Sequence, residues 1–209
     1  YDLVINGTPY IDIAVGQVIN TIKPLSQKIW DSIPAPKSFE DSPVELGLKF
    51  KSSIAGFIKG IRFFSPNDPS GIYTGHLWTK AGTLLEGAVF TNITASGWQE
   101  VLFKNPVLIK ADSIYIASYH TSSGHYAATS GGLLTAVRNG SLTALDNISA
   151  GGNGVYTYGP SPAFPSTSNN AANYWVDVLF ANDTTHAYTF TLTSVTDNAG
   201  ATRSGTLQT

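Results

Sequence analysis

The sequence contains no cysteine and few charged residues. The absence of cysteine excludes disulfides, thiol nucleophiles and thiolate metal sites. Only 12% of the 209 residues are charged, and 12 Lys and Arg against 14 Asp and Glu give a net charge of -2. After Lys110 the only basic residues are Arg138 and Arg203, whereas nucleic-acid binding needs a clustered basic surface. The composition therefore argues against a nucleic-acid partner.

Long apolar runs are also missing. None approaches the roughly 18 residues that a membrane-spanning helix needs, so no membrane span is predicted. The opening Tyr1–Asn6 lacks the basic start and apolar core of a signal peptide. Because the chain begins without Met, we expect a fragment or a processed product. In place of charged residues it uses Gly, Ser, Thr and Asn, a blend that favours an extracellular or cell-surface location.

Strand-length apolar runs recur along the chain, while helical periodicity is nearly absent. In Val44–Lys51, apolar residues alternate with Glu, Gly and Lys, which is the pattern of a half-buried strand. Similar runs lie at 57–64, 73–78, 84–91, 98–103, 114–119, 155–158 and 174–181. Their spacing predicts an all-β fold, an antiparallel β-sandwich of jelly-roll type with long loops and few or no helices.

Residues 121–173 and the two ends differ from this pattern. The 121–173 stretch is crowded with Gly-Gly and Asn-Gly pairs and prolines, so we expect mostly loop and a first place to look for binding. The ends are expected to form one or two short strands within 1–22, and a strand at 188–195 to which 202–208 pairs back. We predict one β-sandwich domain, residues 1–209, with a 28–181 core. Residues 1–27 and 182–209 then either pack on it or are remnants of neighbouring modules.

Nine phrases in order carry a family resemblance: Pro43–Phe50, Gly60–Phe64, Thr74–Trp78, Ser96–Gln99, Phe103–Ile109, Tyr115–His120, Gly124–Tyr126, Asn153–Tyr156 and Asn173–Val178. Together they resemble the DUF4082 family over residues 28–181. The resemblance implies a bacterial extracellular domain of unknown function that accompanies Ig-like repeats and carbohydrate-active modules. Neighbouring domains of the same polypeptide are therefore expected partners. The 188–200 tail is similar to the Thr-rich ends of Ig-like repeats in Bacteroidetes surface proteins.

Sequence templates for catalysis are not found. There is no G-x-S-x-G elbow, H-E-x-x-H motif, P-loop or Rossmann glycine fingerprint. A glycosidase needs two carboxylates facing each other, and the strand-borne candidates Glu45, Glu86, Glu100 and Asp177 are scattered along the sequence. We therefore predict a domain that is not an enzyme.

Candidate metal ligands are few. His120 and His125 bracket one loop, but zinc needs three or more ligands, and the alternative is that both rings hydrogen-bond to loop carbonyls. Calcium accepts backbone carbonyls and one or two carboxylates. By analogy with jelly-roll glycan modules, a structural calcium is the candidate cofactor, with Glu45 and Asp177 as its ligands. The alternative for each is a solvated surface carboxylate.

Aromatic residues carry the strongest functional signal. Sugar rings stack their apolar faces on aromatic rings while polar side chains bind the hydroxyls, and this needs no net charge. Trp78, Trp98 and Trp175 are expected to be at least half buried. The predicted ligand-binding residues lie beside glycines in the loop region: Tyr119, His120, His125, Tyr126, Tyr156 and Tyr158. The sequence thus favours a non-catalytic module that binds polysaccharide or another glycan. The alternative is a structural spacer or adhesion domain without a small ligand.

Overall fold

The computed structural model describes residues 3–5, 8–10, 18–21, 26–31, 36–68, 70–93, 96–182, 188–191, 194–196 and 202–204. Contacts along the chain divide it into two units. The terminal unit is Tyr1–Leu25 with Asp183–Thr209, and the main unit is Ser26–Asn182. The expectation that the terminal strands pack on the 28–181 core stays a prediction.

The regular structure of the described residues is entirely β-strand. In chain order the strands are β1 (Leu3–Ile5), β2 (Thr8–Tyr10), β3 (Val18–Thr21), β4 (Lys37–Glu40), β5 (Val44–Ser52), β6 (Gly56–Ser65), β7 (Tyr73–Thr79), β8 (Leu84–Val89), β9 (Gly97–Ile109), β10 (Tyr115–Thr121), β11 (His125–Ala128), β12 (Val137–Asn139), β13 (Leu142–Ala144), β14 (Val155–Tyr158), β15 (Thr167–Ser168), β16 (Val176–Ala181), β17 (Tyr188–Thr191), β18 (Ser194–Thr196) and β19 (Thr202–Ser204). No helix in this part of the chain is long and apolar enough to cross a membrane.

Two antiparallel sheets build the main unit. The larger has eight strands, with the path β12-β13-β5-β10-β7-β8, with β14 paired to β5 and with β15 paired to β14. The smaller has the order β16-β6-β9, and β4 pairs separately with β11. Since every pairing in the main unit is antiparallel, the predicted all-β antiparallel sandwich is confirmed.

One hydrophobic core lies between the two sheets. In β5 the alternate residues Val44, Leu46, Leu48 and Phe50 are each at most 2% exposed. Phe63 from the smaller sheet stacks on core tyrosines of the larger sheet. The pairing of β6 with β9 shifts register between Ile58 and Gly60. A Cβ on Gly60 would lie 2.0 Å from the Val101 carbonyl oxygen, so the irregular pairing requires glycine there.

The sequence located the long strands well and the short ones poorly. Strands occur at all eight predicted runs, and both Trp78 and Trp175 are buried while Trp98 is partly buried, as predicted. The 121–173 stretch is mostly loop, as expected, although five short strands, β11 to β15, lie within it. Of these five, only β14 was predicted, and the other four have two to four residues, too few for an alternation to be recognised.

The ends form three antiparallel pairs. They are β1 with β2, β3 with β17, and β18 with β19. The predicted hairpin at the carboxyl end is confirmed, since Thr202–Ser204 pairs back on Ser194–Thr196. The amino-terminal residues contain three short strands instead of the expected one or two.

Candidate functional site

Four aromatic side chains form a partly exposed surface on the main unit, here called the tyrosine patch: Phe39, Tyr126, Tyr156 and Tyr158. Phe39 is 42% exposed and Tyr158 is 52% exposed, while the other two are partly buried against the core. Three of the four are among the six predicted ligand-binding residues. The patch therefore combines rings packed against the core with ring surface that is open to solvent.

The β4–β11 pair supplies half of the patch. Phe39 and Tyr126 lie opposite each other in the ladder, and their rings stack with centroids 5.4 Å apart and planes 15° from parallel. Beneath them Tyr174 is buried and meets Tyr126 edge-to-face at 5.9 Å. Stacked and edge-to-face aromatic pairs stabilise each other by about 0.5–1.5 kcal/mol beyond area burial. These contacts hold Tyr126 in one orientation.

Strand β14 supplies the other half. Tyr156 and Tyr158 are two residues apart, so they share one side of the strand, and their rings meet edge-to-face at 5.6 Å. Asn153, which is completely buried, fixes the start of this strand. Its side-chain amide donates to the carbonyl oxygens of Lys49 and Leu145 at 3.0 and 2.7 Å, and its oxygen accepts from the Lys49 amide at 2.8 Å. The position of both tyrosines thus depends on a buried amide network.

Asp41 lies at the rim of the patch and connects its two halves. The Tyr158 hydroxyl donates to Asp41 Oδ2, and the Ser42 amide donates to Oδ1 at 2.8 Å. The hydrogen bond to Asp41, with lesser contributions from burial and the charge of Asp41, raises the pKa of Tyr158 to about 12. The same hydrogen bond, together with that from Ser42, lowers the pKa of Asp41. The rim therefore presents a carboxylate anion to solvent.

A glycine holds the β4–β11 pair beside this carboxylate. The Asp41 amide donates to the Gly124 carbonyl oxygen at 3.0 Å. Gly124 has a φ of 75°, and a Cβ there would lie 1.8 Å from the Asp41 carbonyl oxygen. Any other residue would separate the two segments, because both the backbone conformation and the close approach need glycine.

His125 flanks the patch and lies between two carboxylates. Its Nδ1 is 3.0 Å from Asp68 Oδ2, in an ion-pair contact without hydrogen-bond geometry, and its Nε2 is 3.6 Å from Glu40 Oε2. Partial burial acts to raise the pKa of Asp68, but hydrogen bonds from Ser123 and Ser70 outweigh it and hold that pKa well below its usual value. The surroundings of His125 are therefore acidic.

Tyr119 and His120 are buried and take no part in the exposed surface of the patch. Tyr119 is completely buried, with its ring stacked on Phe63 at 4.6 Å, so it has no surface to offer a ligand. His120, the next residue, is 4% exposed, and its Nε2 lies 2.9 Å from the Gly159 carbonyl oxygen. This is the loop-carbonyl hydrogen bond that the sequence offered as the alternative to a metal role.

Glu45 is a buried member of a polar cluster on the larger sheet. Its Oε1 lies 2.8 Å from His76 Nδ1 and accepts from the Ser118 hydroxyl at 2.5 Å, while Trp78 Nε1 donates to Ser118 at 2.7 Å. Oε2 of Glu45 is buried and has no hydrogen-bond partner among the described residues. Because Ser118 donates to the carboxylate instead of to the imidazole, the cluster does not have the arrangement of a histidine-activated serine.

Asp177 occupies a different buried site on the smaller sheet. Its Oδ2 pairs with the Arg62 guanidinium at 2.6 Å and accepts from the Trp30 amide at 3.2 Å. Its Oδ1 accepts from the amides of Ile29 and Val178 at 2.9 and 2.7 Å. Both oxygens are therefore saturated by protein donors, as a buried carboxylate requires.

The two predicted calcium ligands are thus on separate sheets. Neither is the solvated surface carboxylate that the sequence offered as its alternative, because both Glu45 and Asp177 are 0% exposed. Within the described ranges, no group of three or more His, Asp or Glu side chains could hold a metal ion. The calcium site stays a prediction to which the observed partners of these carboxylates lend no support.

Sequence reasoning missed Phe39, Asp41 and Tyr174. Strand β4 has four residues that are all exposed, so its sequence shows no alternation with a buried face. Tyr174 was counted in a predicted strand, but β16 begins only at Val176. Nothing in the sequence marks Asp41, because its position depends on the close approach of Gly124 to Asp41, which is a feature of the fold.

A family model described as a domain of unknown function, DUF4082, matches residues 31–176. No curated protein matches the chain.

Proposed function

The chain belongs to the DUF4082 family of domains of unknown function, and we propose that it binds carbohydrate at the tyrosine patch. On this proposal it is a non-catalytic accessory module of a larger secreted or cell-surface bacterial protein. The observation that carries the proposal is the convergence of Tyr126, Tyr156 and Tyr158 with Phe39 on one partly exposed surface.

The chemistry of the patch suits a sugar ring. Tyrosine and phenylalanine faces pack against the apolar C–H face of a pyranose, and burial of apolar area stabilises that contact by about 25 cal/mol per Å². The Asp41 carboxylate at the rim accepts hydrogen bonds from sugar hydroxyls. Because Tyr126 and Tyr156 are already packed against the core, little side-chain entropy is lost when a ligand binds.

The remaining parts of the proposal follow from composition and family. A chain with 12% charged residues and a surface rich in Thr, Ser and Asn suits a neutral, hydroxyl-rich ligand outside the cell. Calcium has no part in the proposed site, because Glu45 and Asp177 lie outside the tyrosine patch. Neighbouring domains of the same polypeptide are the proposed protein partners.

The test is a glycan array on the full chain, followed by calorimetry with the strongest binders. Tyr156→Ala and Tyr158→Ala are expected to weaken binding at least about tenfold, equivalent to about 1.4 kcal/mol each. Leu102→Ala is the matched control, since Leu102 is 66% exposed on β9 of the smaller sheet. It should bind as the unaltered chain does.

A structural spacer or adhesion domain is the second candidate. The self-packed Asn153 network and the buried Trp78 and Trp175 are what such a role would need. Absence of binding across plant, microbial and host glycans would contradict the carbohydrate proposal and favour the spacer. Binding that survives both tyrosine substitutions would place the ligand elsewhere on the chain.

A further inference from the structure

The rim of the tyrosine patch offers hydrogen-bond acceptors and negative charge. Asp41 is exposed and carries the only carboxylate hydrogen-bonded to a patch ring among the described residues. Glu40, the preceding residue, has a side chain that is 78% exposed. Because successive side chains of a strand point to opposite sides, Glu40 lies on the other side of β4 from Phe39, where both it and Asp68 contact His125.

Positive charge near the patch is sparse. On β4, β11 and β14 the only Lys or Arg is Lys37, which shares one side of β4 with Phe39 but lies at the far end of the strand from Asp41. On these three strands His125 is the one other group that can carry a positive charge, and it already faces both Asp68 and Glu40. A ligand carboxylate or sulfate would therefore meet the Asp41 carboxylate without a guanidinium to pair with.

The hydroxyl that contacts Asp41 is already used. The Tyr158 hydroxyl donates its proton to Asp41, so this pair presents a ring face and a carboxylate but no free donor. An ammonium group has the complementary character, with three donors and a charge that is attracted both to a carboxylate and to the face of an aromatic ring. Phe39 and Tyr158 are the rings with the most exposed surface.

We propose that the tyrosine patch selects glycans with free amino groups, of the glucosamine type, with Asp41 binding the ammonium. This inference rests on the proposed carbohydrate-binding function and specifies the class of sugar. The sugar ring packs on the aromatic faces, and the amino group lies over the rim between Asp41 and the exposed ring of Tyr158. N-acetylation removes the charge and two of the three donors, and a uronic acid replaces attraction by repulsion.

The experiment compares oligosaccharides of equal length on the full chain. Glucosamine, N-acetylglucosamine, glucose and galacturonic acid hexamers are titrated by calorimetry at low and at physiological salt. We expect the glucosamine hexamer to bind about five- to tenfold more tightly than the acetylated and neutral hexamers, and the advantage to shrink with salt. The galacturonic acid hexamer should bind most weakly.

Two substitutions separate the effect of the Asp41 charge from that of the aromatic surface. Asp41→Asn keeps an acceptor for Tyr158 but removes the charge, so the glucosamine hexamer should lose its advantage over the neutral hexamer, and the ratio of the two affinities is the quantity compared. Asp112→Asn is the matched control, because Asp112 is exposed, pairs with Lys51, and changes the net charge equally. It should keep the preference.

Three outcomes would contradict the proposals, each in a different way. Equal affinity for the glucosamine and neutral hexamers, lost in Tyr158→Ala, would overturn the amino-sugar inference and leave the carbohydrate proposal standing. Tighter binding of an oligolysine of equal charge would overturn the sugar as the occupant. If no hexamer binds, both proposals fail.

Discussion

The main unit contains two aromatic clusters built from the same residue types but placed differently. The interior cluster is Phe63 stacked on Tyr73 at 4.7 Å and on Tyr119 at 4.6 Å, with Phe90 edge-on at 4.8 Å. None of these rings is more than 6% exposed. The tyrosine patch repeats the stacked and edge-to-face contacts, yet it keeps Phe39 and Tyr158 open to solvent.

The position of a strand in its sheet explains the difference. Tyr119 lies on β10, which is flanked by β5 and β7, so its inward side chain meets the facing sheet. Tyr156 and Tyr158 lie opposite Leu46 and Val44, on the same side of the larger sheet as the core, but on a short strand near its margin. A ring on the core side of the sheet is therefore buried when its strand is central and partly exposed when its strand lies near the margin.

The largest expected effect comes from breaking the interior cluster. Tyr119→Ala should lower the free energy of unfolding by about 3–5 kcal/mol, because it removes a fully buried ring and leaves a cavity. Tyr119→Phe loses only the hydroxyl, which donates to the Tyr174 carbonyl oxygen at 3.4 Å, and should cost about 1 kcal/mol or less. Urea unfolding of both variants checks this.

Glycan binding measured on Tyr119→Phe completes that test. The proposal places Tyr119 outside the ligand site, so this variant should bind as the unaltered chain does. A variant that is stable but no longer binds would contradict the division between an interior and a surface cluster.

Tyr126 connects the tyrosine patch to the buried Tyr174, and its substitution should have an intermediate effect. Tyr126→Ala loses the stack on Phe39 and the edge contact with Tyr174, so we expect a loss of about 1–2 kcal/mol in the free energy of unfolding. A double-mutant cycle with Phe39→Ala measures the stack itself, with an expected coupling of about 0.5–1.5 kcal/mol. Additive effects would show that the stacked rings do not stabilise each other.

The sequence predicted the architecture because long strands carry their own periodicity. Val44–Ser52 alternates over nine residues, which is enough to assign its inner face. It could not predict the burial of Glu45, which sits at a polar position of that alternation. The outer face of the larger sheet is covered by a loop, in which Phe164 packs on Trp78 and the Gly159 carbonyl accepts from His120. Such coverage comes from tertiary packing, which strand periodicity does not encode.

The candidate site was half predictable for the same reason. Tyr126, Tyr156 and Tyr158 were identified by the glycines around them, but the same argument wrongly included Tyr119. One sequence cannot distinguish a central strand from a marginal one, since both show the same residue types. Asp41 gives the patch its charge. It is distant from the three tyrosines in the sequence and reaches them only because β4 pairs with β11.

The smallest expected effect is a change in the titration of one tyrosine, and it distinguishes the two clusters directly. Hydrogen bonding to Asp41 raises the pKa of Tyr158 to about 12, whereas burial raises that of Tyr119. Asp41→Asn should therefore move the pKa of Tyr158 back toward 10.0, the ordinary tyrosine value, and leave Tyr119 unchanged. Because the raised pKa favours the neutral phenol in the folded chain, this contact stabilises the fold below pH 10 and is lost as pH rises toward 12. NMR titration of labelled tyrosines, with Tyr158→Phe to assign the signal, measures the shift; an unmoved Tyr158 would show that its environment is set by packing and not by Asp41.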